Sequence, residues 1–257
     1  LTASLLLFIH RLADTSGEII RRYFRADLAI DYKNPDQPVT RADRETEKAL
    51  REIIARERPE DGFFGEETGA AESRNGYTWT IDPIDGTKAF ACGKPIFGTL
   101  IALLQNDTPI LGLIDQPILR ERWLGVAGER STMNGAAIHT SKVTALASAR
   151  LGTTGPRLFT PDELAAFNRV GSACGIVTYG GDCYNYGLLA MGGLDLVIES
   201  NLKLYDYAAL IPVIEGAGGI VTGWAGEVPG RVHDGRIIAA ANRDIHQAAL
   251  ALLAKSA

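Results

Sequence analysis

The hydrophobic period of the chain changes near Asp61, and that change limits the fold more than any other feature. Before it, Leu5, Ile9, Leu12, Ile19, Tyr23 and Phe24 fall largely on one helical stripe, with Asp14, Glu18, Arg21 and Arg22 opposite, which predicts an amphipathic N-terminal helix. Residues 31–38 carry two prolines, Asn34 and two aspartates and are expected to form a loop or short turn. A second helix is expected from Thr40, with Leu50, Ile53 and Ile54 inside, Glu45, Glu47, Lys48, Arg51 and Glu52 outside, and Pro59 beyond its end. After Asp61 the apolar runs are short and bounded by Gly, Pro and Asp. Residues 63–64, 78–81, 98–104, 110–114, 121–125 and 137–140 are strand candidates and together predict an antiparallel sheet. Beyond about residue 150, strand-like and helix-like segments alternate: 150–153, 162–171, 176–179, 184–191, 194–199, 205–215, 220–222, 237–240 and 245–255. No linker divides the chain, so the two halves are expected to share an interface.

At 257 residues, with 46% apolar and 22% charged side chains, the composition is that of a folded protein with ample core. Lys and Arg number 26 against 31 Asp and Glu, a net charge of −5, so no overall basic field exists to hold nucleic acid or an anionic membrane. An anionic ligand has to be gripped locally. The apolar run at residues 5–9 stops at His10 and Arg11, far short of the roughly 20 residues that cross a bilayer. No basic segment precedes it as in a signal peptide. Cys92, Cys174 and Cys183 form no C-x-x-C pair, which points to unpaired thiols in a reducing compartment. The expected location is the cytoplasm, or an organellar matrix if a leader was removed ahead of Leu1.

The densest chemistry is Asp82-Pro83-Ile84-Asp85-Gly86-Thr87, directly after a predicted strand. Two carboxylates three residues apart, with proline stiffening the bend between them, can point into one small volume and hold a hard cation such as Mg²⁺. Gly86 and Thr87 would then open the next segment with free N–H groups and a hydroxyl suited to phosphate. The same letters also spell an ordinary turn. Glu66-Glu67 ends the preceding strand, where neighbouring side chains point to opposite faces, so only one of them, taken as Glu66, can ligate unless the chain bends. A solvated acidic loop is the alternative. Asp43 can be read as a first-turn carboxylate complementing the helix dipole. Asp206 can be read as the N-cap of the 205–215 helix, although Leu204, Tyr205, Tyr207, Ala208 and Ala209 would desolvate it and leave an ionised acid in want of a cation.

In chain order, Asp43, Glu66-Glu67, the 82–87 turn, and Asp206 ahead of a helix leading to Gly216-Ala217-Gly218-Gly219 resemble the inositol monophosphatase superfamily of magnesium-dependent, lithium-sensitive phosphomonoesterases. The likeness spans nearly the whole chain. It implies an α/β (α+β) fold of the layered αβαβα, sugar-phosphatase-like kind. Residues 1–150 would form an N-terminal half with a mostly antiparallel sheet and most metal ligands, and residues 151–257 a smaller C-terminal α/β half carrying Asp206. It implies Mg²⁺, two to three ions per site: one held by Glu66, Asp82 and the Ile84 carbonyl, a second by Asp82, Asp85 and Asp206, and a weaker third placed with help from Glu66. Catalytic roles would fall to Asp43, Thr87 and Glu66, the first two orienting and deprotonating the attacking water. The phosphate would rest on the N–H groups of Gly86 and Thr87, its charge met by metal rather than by Arg or Lys. Family members are commonly homodimers, and the apolar strands between Gly98 and Trp123 could supply that contact.

One departure is the residue before the last acid, usually Trp and here Tyr205. The runs 97–104 and 113–123, with Tyr179-Gly180-Gly181-Asp182-Cys183-Tyr184, are similar to the histidinol-phosphate phosphatase branch. Histidinol phosphate carries an ammonium and an imidazole, so its pocket should present carboxylates away from the metals. Asp182 and Glu199 are the candidates, with Asn185 as a further substrate-side residue. Their plainer roles are a helix cap for Asp182, a strand-end surface acid for Glu199 and a polar helix face for Asn185. The expected substrate is a small phosphate ester, L-histidinol phosphate, cleaved without a phospho-enzyme. Inositol 1-phosphate, a sugar bisphosphate or an adenosine bisphosphate is the alternative within the superfamily. A catalytically silent relative that binds phosphate esters is the alternative of a different class.

Overall fold

The computed structural model describes residues 2–27, 30–34 and 37–254. The two helical stripes at the start become α1 (Ala3–Tyr23) and α2 (Arg41–Glu57). Between them lies a hairpin of β1 (Ile30–Asn34) and β2 (Gln37–Thr40) instead of the expected loop; Pro35 and Asp36 fall outside the described residues. Pro38 is tolerated because a two-stranded ribbon is all edge.

The short apolar runs then form β3 (Gly62–Gly65), β4 (Gly69–Ala71), β5 (Tyr77–Asp85), β6 (Gly98–Gln105), β7 (Thr108–Gln116), β8 (Glu121–Val126), β9 (Thr132–Met133) and β10 (Ala136–Ala137), with α3 (Thr87–Ala91) after β5. Among the described residues they pair as one sheet in the order β10-β9-β8-β7-β6-β5-β3-β4, parallel between β3 and β5 and antiparallel elsewhere. The strand expected at 137–140 is cut short because its backbone is committed elsewhere: Ile138 N–H donates to Ser131 O and Thr140 N–H to Ala217 O.

The second half builds β11 (Arg150–Thr153), α4 (Pro161–Gly171), β12 (Ile176–Tyr179), α5 (Cys183–Ala190), β13 (Leu196–Glu199), α6 (Leu204–Tyr207), α7 (Leu210–Gly216), β14 (Ile220–Gly223), β15 (Ile237–Ala240) and α8 (Arg243–Leu253). The expected end of the last helix, Lys255, lies outside the described residues. Its sheet runs β12-β11-β13-β15-β14, parallel across the first three strands and antiparallel across the rest. The single helix expected at 205–215 is two. Ala208 and Ala209 keep right-handed helical angles, but Pro212 has no N–H to offer the ladder, which breaks there.

Period-two alternation stacks these parts. On β6, Ile101 and Leu103 join the α1–α2 core of Phe8, Ile9, Leu12 and Leu50, while Leu100, Ala102 and Leu104 join Tyr186, Leu210 and Ile214 of α5 and α7. On β15, Ile237 and Ala239 meet that same central helical layer, and Ile238 and Ala240 meet α4 and α8. The order is helix, sheet, helix, sheet, helix, the expected αβαβα. Residues 210–214 of α7 are all buried, as an apolar helix between two sheets must be.

Gly112 and Gly125, paired across β7 and β8, let the α6–α7 break descend onto the first sheet. A Cβ on Gly112 would lie 2.1 Å from Ala209 O, and one on Gly125 2.3 Å from the Pro212 carbonyl. Backbone cannot yield as a side chain can, so Gly125→Ala is expected to destabilise by about 3 kcal/mol or more. A thermal melt checks this; an unchanged Tm would contradict so close an approach. No helix among the described residues is long and apolar enough to cross a membrane.

Candidate active site

β5 ends in a bulge. Asp82 pairs with Leu100 and Asp85 with Gly98, so three steps on β5 match two on β6, and the extra residue turns both carboxylates toward one side. Ile84 N–H donates to Asp82 Oδ1 at 3.0 Å, and Thr99 Oγ1 donates to Pro83 O at 2.8 Å, which fix the bulge from within. Asp206 arrives from α6, where its Oδ2 accepts Lys203 N–H at 2.6 Å. It is the third residue of this short helix, not the cap of a long one. Asp82, Asp85 and Asp206 each offer an oxygen within 4.8 Å of the others.

A cavity of about 120 Å³ at this point is lined by those three acids together with Glu66, Ile84, Gly86 and Thr87. Glu66 sits in a turn, so the chain does bend after β3; Glu66 reaches the wall and Glu67 does not. The turn is held by Glu47, whose carboxylate accepts Glu67 N–H at 2.8 Å and both the N–H and hydroxyl of Thr68 at 2.6 Å. Glu47 is fully buried, which corrects its expected place on the outside of α2. The stripe through Asp43, Glu47, Leu50 and Ile54 is the inner face of that helix, and helical spacing from Leu50 could have revealed it. Tyr205 stacks on Phe64, ring centroids 5.8 Å apart.

Asp43 occupies the first turn of α2 and divides its oxygens. Oδ2 accepts Thr40 N–H at 2.8 Å and the Thr40 hydroxyl at 2.6 Å, completing the cap, while Oδ1 faces the Thr87 hydroxyl at 3.3 Å. Thr87 Oγ1 also lies 3.0 Å from Ile84 O. Gly86 joins the bulge to α3 at φ +93, and a Cβ there would lie 3.0 Å from Asp182 Oδ2. Only glycine meets both conditions.

Burial followed by mutual repulsion governs the electrostatics. Asp82 is raised well above the carboxylate range by desolvation, then by Glu66, Asp85, Asp206 and Asp43. Desolvation does the same to Asp85, with Asp182, Asp206 and Glu199 adding to it. Asp206 is pushed up to about 7 by burial against the pull of Lys203 N–H, and Asp43 to about 6 by burial against the hydrogen bonds from Thr40. Ionised together, these acids need cations. The donors are all carboxylate or carbonyl oxygens, the set a hard ion such as Mg²⁺ prefers over soft metals.

Beside this cavity lies a larger one of about 570 Å³, which shares Asp85, Asn201 and Asp206 with it and adds Asp182 and Glu199. Asp182 stands at the N-cap position of α5 but makes no capping hydrogen bond, and its φ of +44 is a strained value outside glycine. Burial raises it to about 6, with Thr154 and Lys88 pulling down. Glu199 is 2% exposed and so no surface acid; burial raises it to about 7 while Thr154 N–H and Oγ1, at 2.9 and 2.6 Å, and Tyr186 OH, at 3.1 Å, bind its carboxylate. Asn185 is not brought to the wall. It is buried, and its Nδ2 donates to Gly180 O at 3.0 Å.

Sequence reasoning missed Thr154, Asn201, Lys88, Arg157 and Lys203, which line one cavity or the other. The last three put cationic side chains in the walls of the two cavities beside the acids expected to hold metal. None carries a local motif; Lys88 alone had a signal, following Gly86-Thr87.

Alternating α and β layers with buried acids gathered at a bulged strand end define the class of layered α/β phosphatases. The chain belongs to the inositol monophosphatase family, whose sequence model matches residues 2–257. It is similar to the bifunctional phosphatase IMPL2, chloroplastic, of Arabidopsis thaliana, 49% identical over 93% of this chain and 72% of that protein. The histidinol-phosphatase of Chlorobaculum parvum is 35% identical over 90% of this chain and 89% of that one. A solved inositol monophosphatase from Zymomonas mobilis matches with a TM-score of 0.90 and 46% identity over 98% of this chain and 99% of that one. The protein is therefore a phosphatase of this superfamily acting on a small phosphate ester.

Proposed function

We propose that the protein hydrolyses L-histidinol phosphate to L-histidinol and phosphate with Mg²⁺ at the acid cluster. The single observation that carries the substrate assignment is Asp182, a half-buried carboxylate at a helix start that does not cap its helix and instead lines, with the buried Glu199, the wall next to the acid cluster. The hydroxyls of a neutral polyol can donate to one such carboxylate, but they do not neutralise two acids on one wall. An ammonium or imidazolium does, because it offsets their desolvation. The similarity to a protein named histidinol-phosphatase supports the same reading.

Glu66, Asp82, the Ile84 carbonyl, Asp85 and Asp206 would hold two to three Mg²⁺ ions. When bound, Mg²⁺ supplies the positive charge that neutralises the phosphate ester and acidifies water. The chain does the rest. Thr87 Oγ1, between Asp43 Oδ1 and Ile84 O, orients the water and passes a proton toward Asp43, whose carboxyl at about 6 is ready to receive one near neutral pH. Thr40 occupies Oδ2, leaving Oδ1 as the base. The N–H groups of Gly86 and Thr87 face the phosphate, and Asp182 and Glu199 orient the amine end of the alcohol.

Purified protein with Mg²⁺ is expected to release phosphate from histidinol phosphate faster than from inositol 1-phosphate. Asp182→Asn, which keeps a side chain tolerant of positive φ, should lower kcat/KM for histidinol phosphate by about 10²-fold and leave a neutral ester within about threefold. The similarity to an inositol monophosphatase motivates the competing outcome. Equal or faster turnover of inositol 1-phosphate would refute the substrate assignment and leave the phosphatase standing.

A further inference from the structure

A third cavity, of about 410 Å³, opens between α1, the turn joining β7 to β8, and the turn after β9, with His10, Arg21, Asp115, Arg120, Arg122 and Asn134 in its wall. None of these residues lines either active-site cavity. Arg122 forms a fixed floor: Nε donates to Asp115 Oδ1 at 2.6 Å, Nη2 to Asp14 Oδ1 at 2.8 Å and Nη1 to His10 Nδ1 at 3.2 Å. Burial and the Arg122 guanidinium both push the His10 imidazole below its ordinary pKa, against the pull of Asp14. Asn134 ties the rim together, accepting Arg122 N–H at 3.0 Å and donating to Arg120 O at 2.9 Å. Arg120 is held at φ +60, a conformation that costs energy outside glycine.

Against this ordered floor, Arg21 and Arg120 are exposed, and their guanidinium groups make no hydrogen bond or ion pair among the described residues. Three guanidinium groups thus face one concavity with Asp115 as the acid in its wall, on a chain whose net charge is −5. Guanidinium forks match the two oxygens of a carboxylate or phosphate, and the volume lies in the range of small-molecule sites.

We infer that this cavity is a second small-molecule site, separate from the active site, which binds a compact dianion bearing carboxylate or phosphate oxygens between Arg21 and Arg120. It lies close to the catalytic turn. Asp115 stands opposite Thr99 across β6 and β7, and the Thr99 hydroxyl is the one that donates to Pro83 O. The test must therefore separate the two sites.

Mg²⁺-loaded protein would be titrated calorimetrically with succinate and, in a second arm, with methylphosphonate, each repeated in Asp82→Asn, whose acid cluster should no longer hold a metal-bound anion. A binding event should remain that weakens about tenfold in Arg21→Gln and in Arg120→Gln. Turnover and Tm should stay unchanged in both variants, whose guanidinium groups hold nothing in place. Tighter binding of succinate would assign the site to carboxylates, and tighter binding of methylphosphonate to phosphate esters. Identical isotherms in the parent and both variants, or no heat beyond the active site's, would overturn the inference. So would a changed sedimentation coefficient in either variant, which would make these arginines a contact between copies of the chain.

Discussion

Asp82→Asn is expected to cut phosphate release at saturating Mg²⁺ by at least about 10³-fold while raising the Tm of the metal-free protein at neutral pH. Both effects come from the same placement. Asp82 stands between Glu66, Asp85 and Asp206, so it is the acid that two bound cations would share under the proposed metal assignment, and an amide oxygen could not replace its charge. In the metal-free protein that charge is a liability, because burial and four neighbouring acids oppose its ionisation. Asparagine removes the repulsion, and its Oδ1 can still accept Ile84 N–H. Phosphate assays and melts with and without Mg²⁺ check the pair of effects. Full turnover by the variant would end the assignment of Asp82 as a ligand.

The metal-free protein is also expected to lose stability as pH rises from about 4 to about 7, and Mg²⁺ to restore it most strongly at the upper end. Asp43 and Asp182 are pushed up to about 6, and Asp206 and Glu199 to about 7, in each case first by burial. A folded-state pKa above the unfolded one means that the native protein binds more protons across that interval, so stability falls with pH until the folded groups have ionised. Each pKa unit is worth about 1.4 kcal/mol, so Asp43 alone, raised from 3.8 to about 6, accounts for about 3 kcal/mol. Mg²⁺ binds the ionised form and reverses the sign. Thermal melts across this interval, with and without Mg²⁺, test it. A metal-free Tm that climbs with pH, or that ignores Mg²⁺, would mean the acids do not share one buried volume.

The parts of the site legible in the sequence are those built by neighbours in the chain. The 82–87 segment declares two acids, a proline and a glycine within one turn, and that local chemistry is the bulge the structure contains. Asp43 and Asp206 were legible only as members of an ordered set, since each alone reads as a helix-end acid. Glu47 was misplaced because its charge argued for solvent, whereas the turn at Glu66 to Thr68 offers it two N–H groups and a hydroxyl inside the protein. The break between α6 and α7 was missed although Pro212 announces it. Thr154 carried no signal, because its importance lies in holding Glu199, 45 residues away.

By itself the sequence determined most of the element types, the alternation that gives each strand two different faces, and the family, because hydrophobic period, turn chemistry and ordered acids are local properties of the chain. Only the tertiary structure decided that Asp43 and Asp206 meet the strand-end acids in space, which depends on how α2 and the α6–α7 break settle on the first sheet at Gly112 and Gly125. It also decided which carboxyls are desolvated, and so which need a cation. Burial is a property of everything that surrounds a residue, and those surroundings come from parts of the chain far away along it.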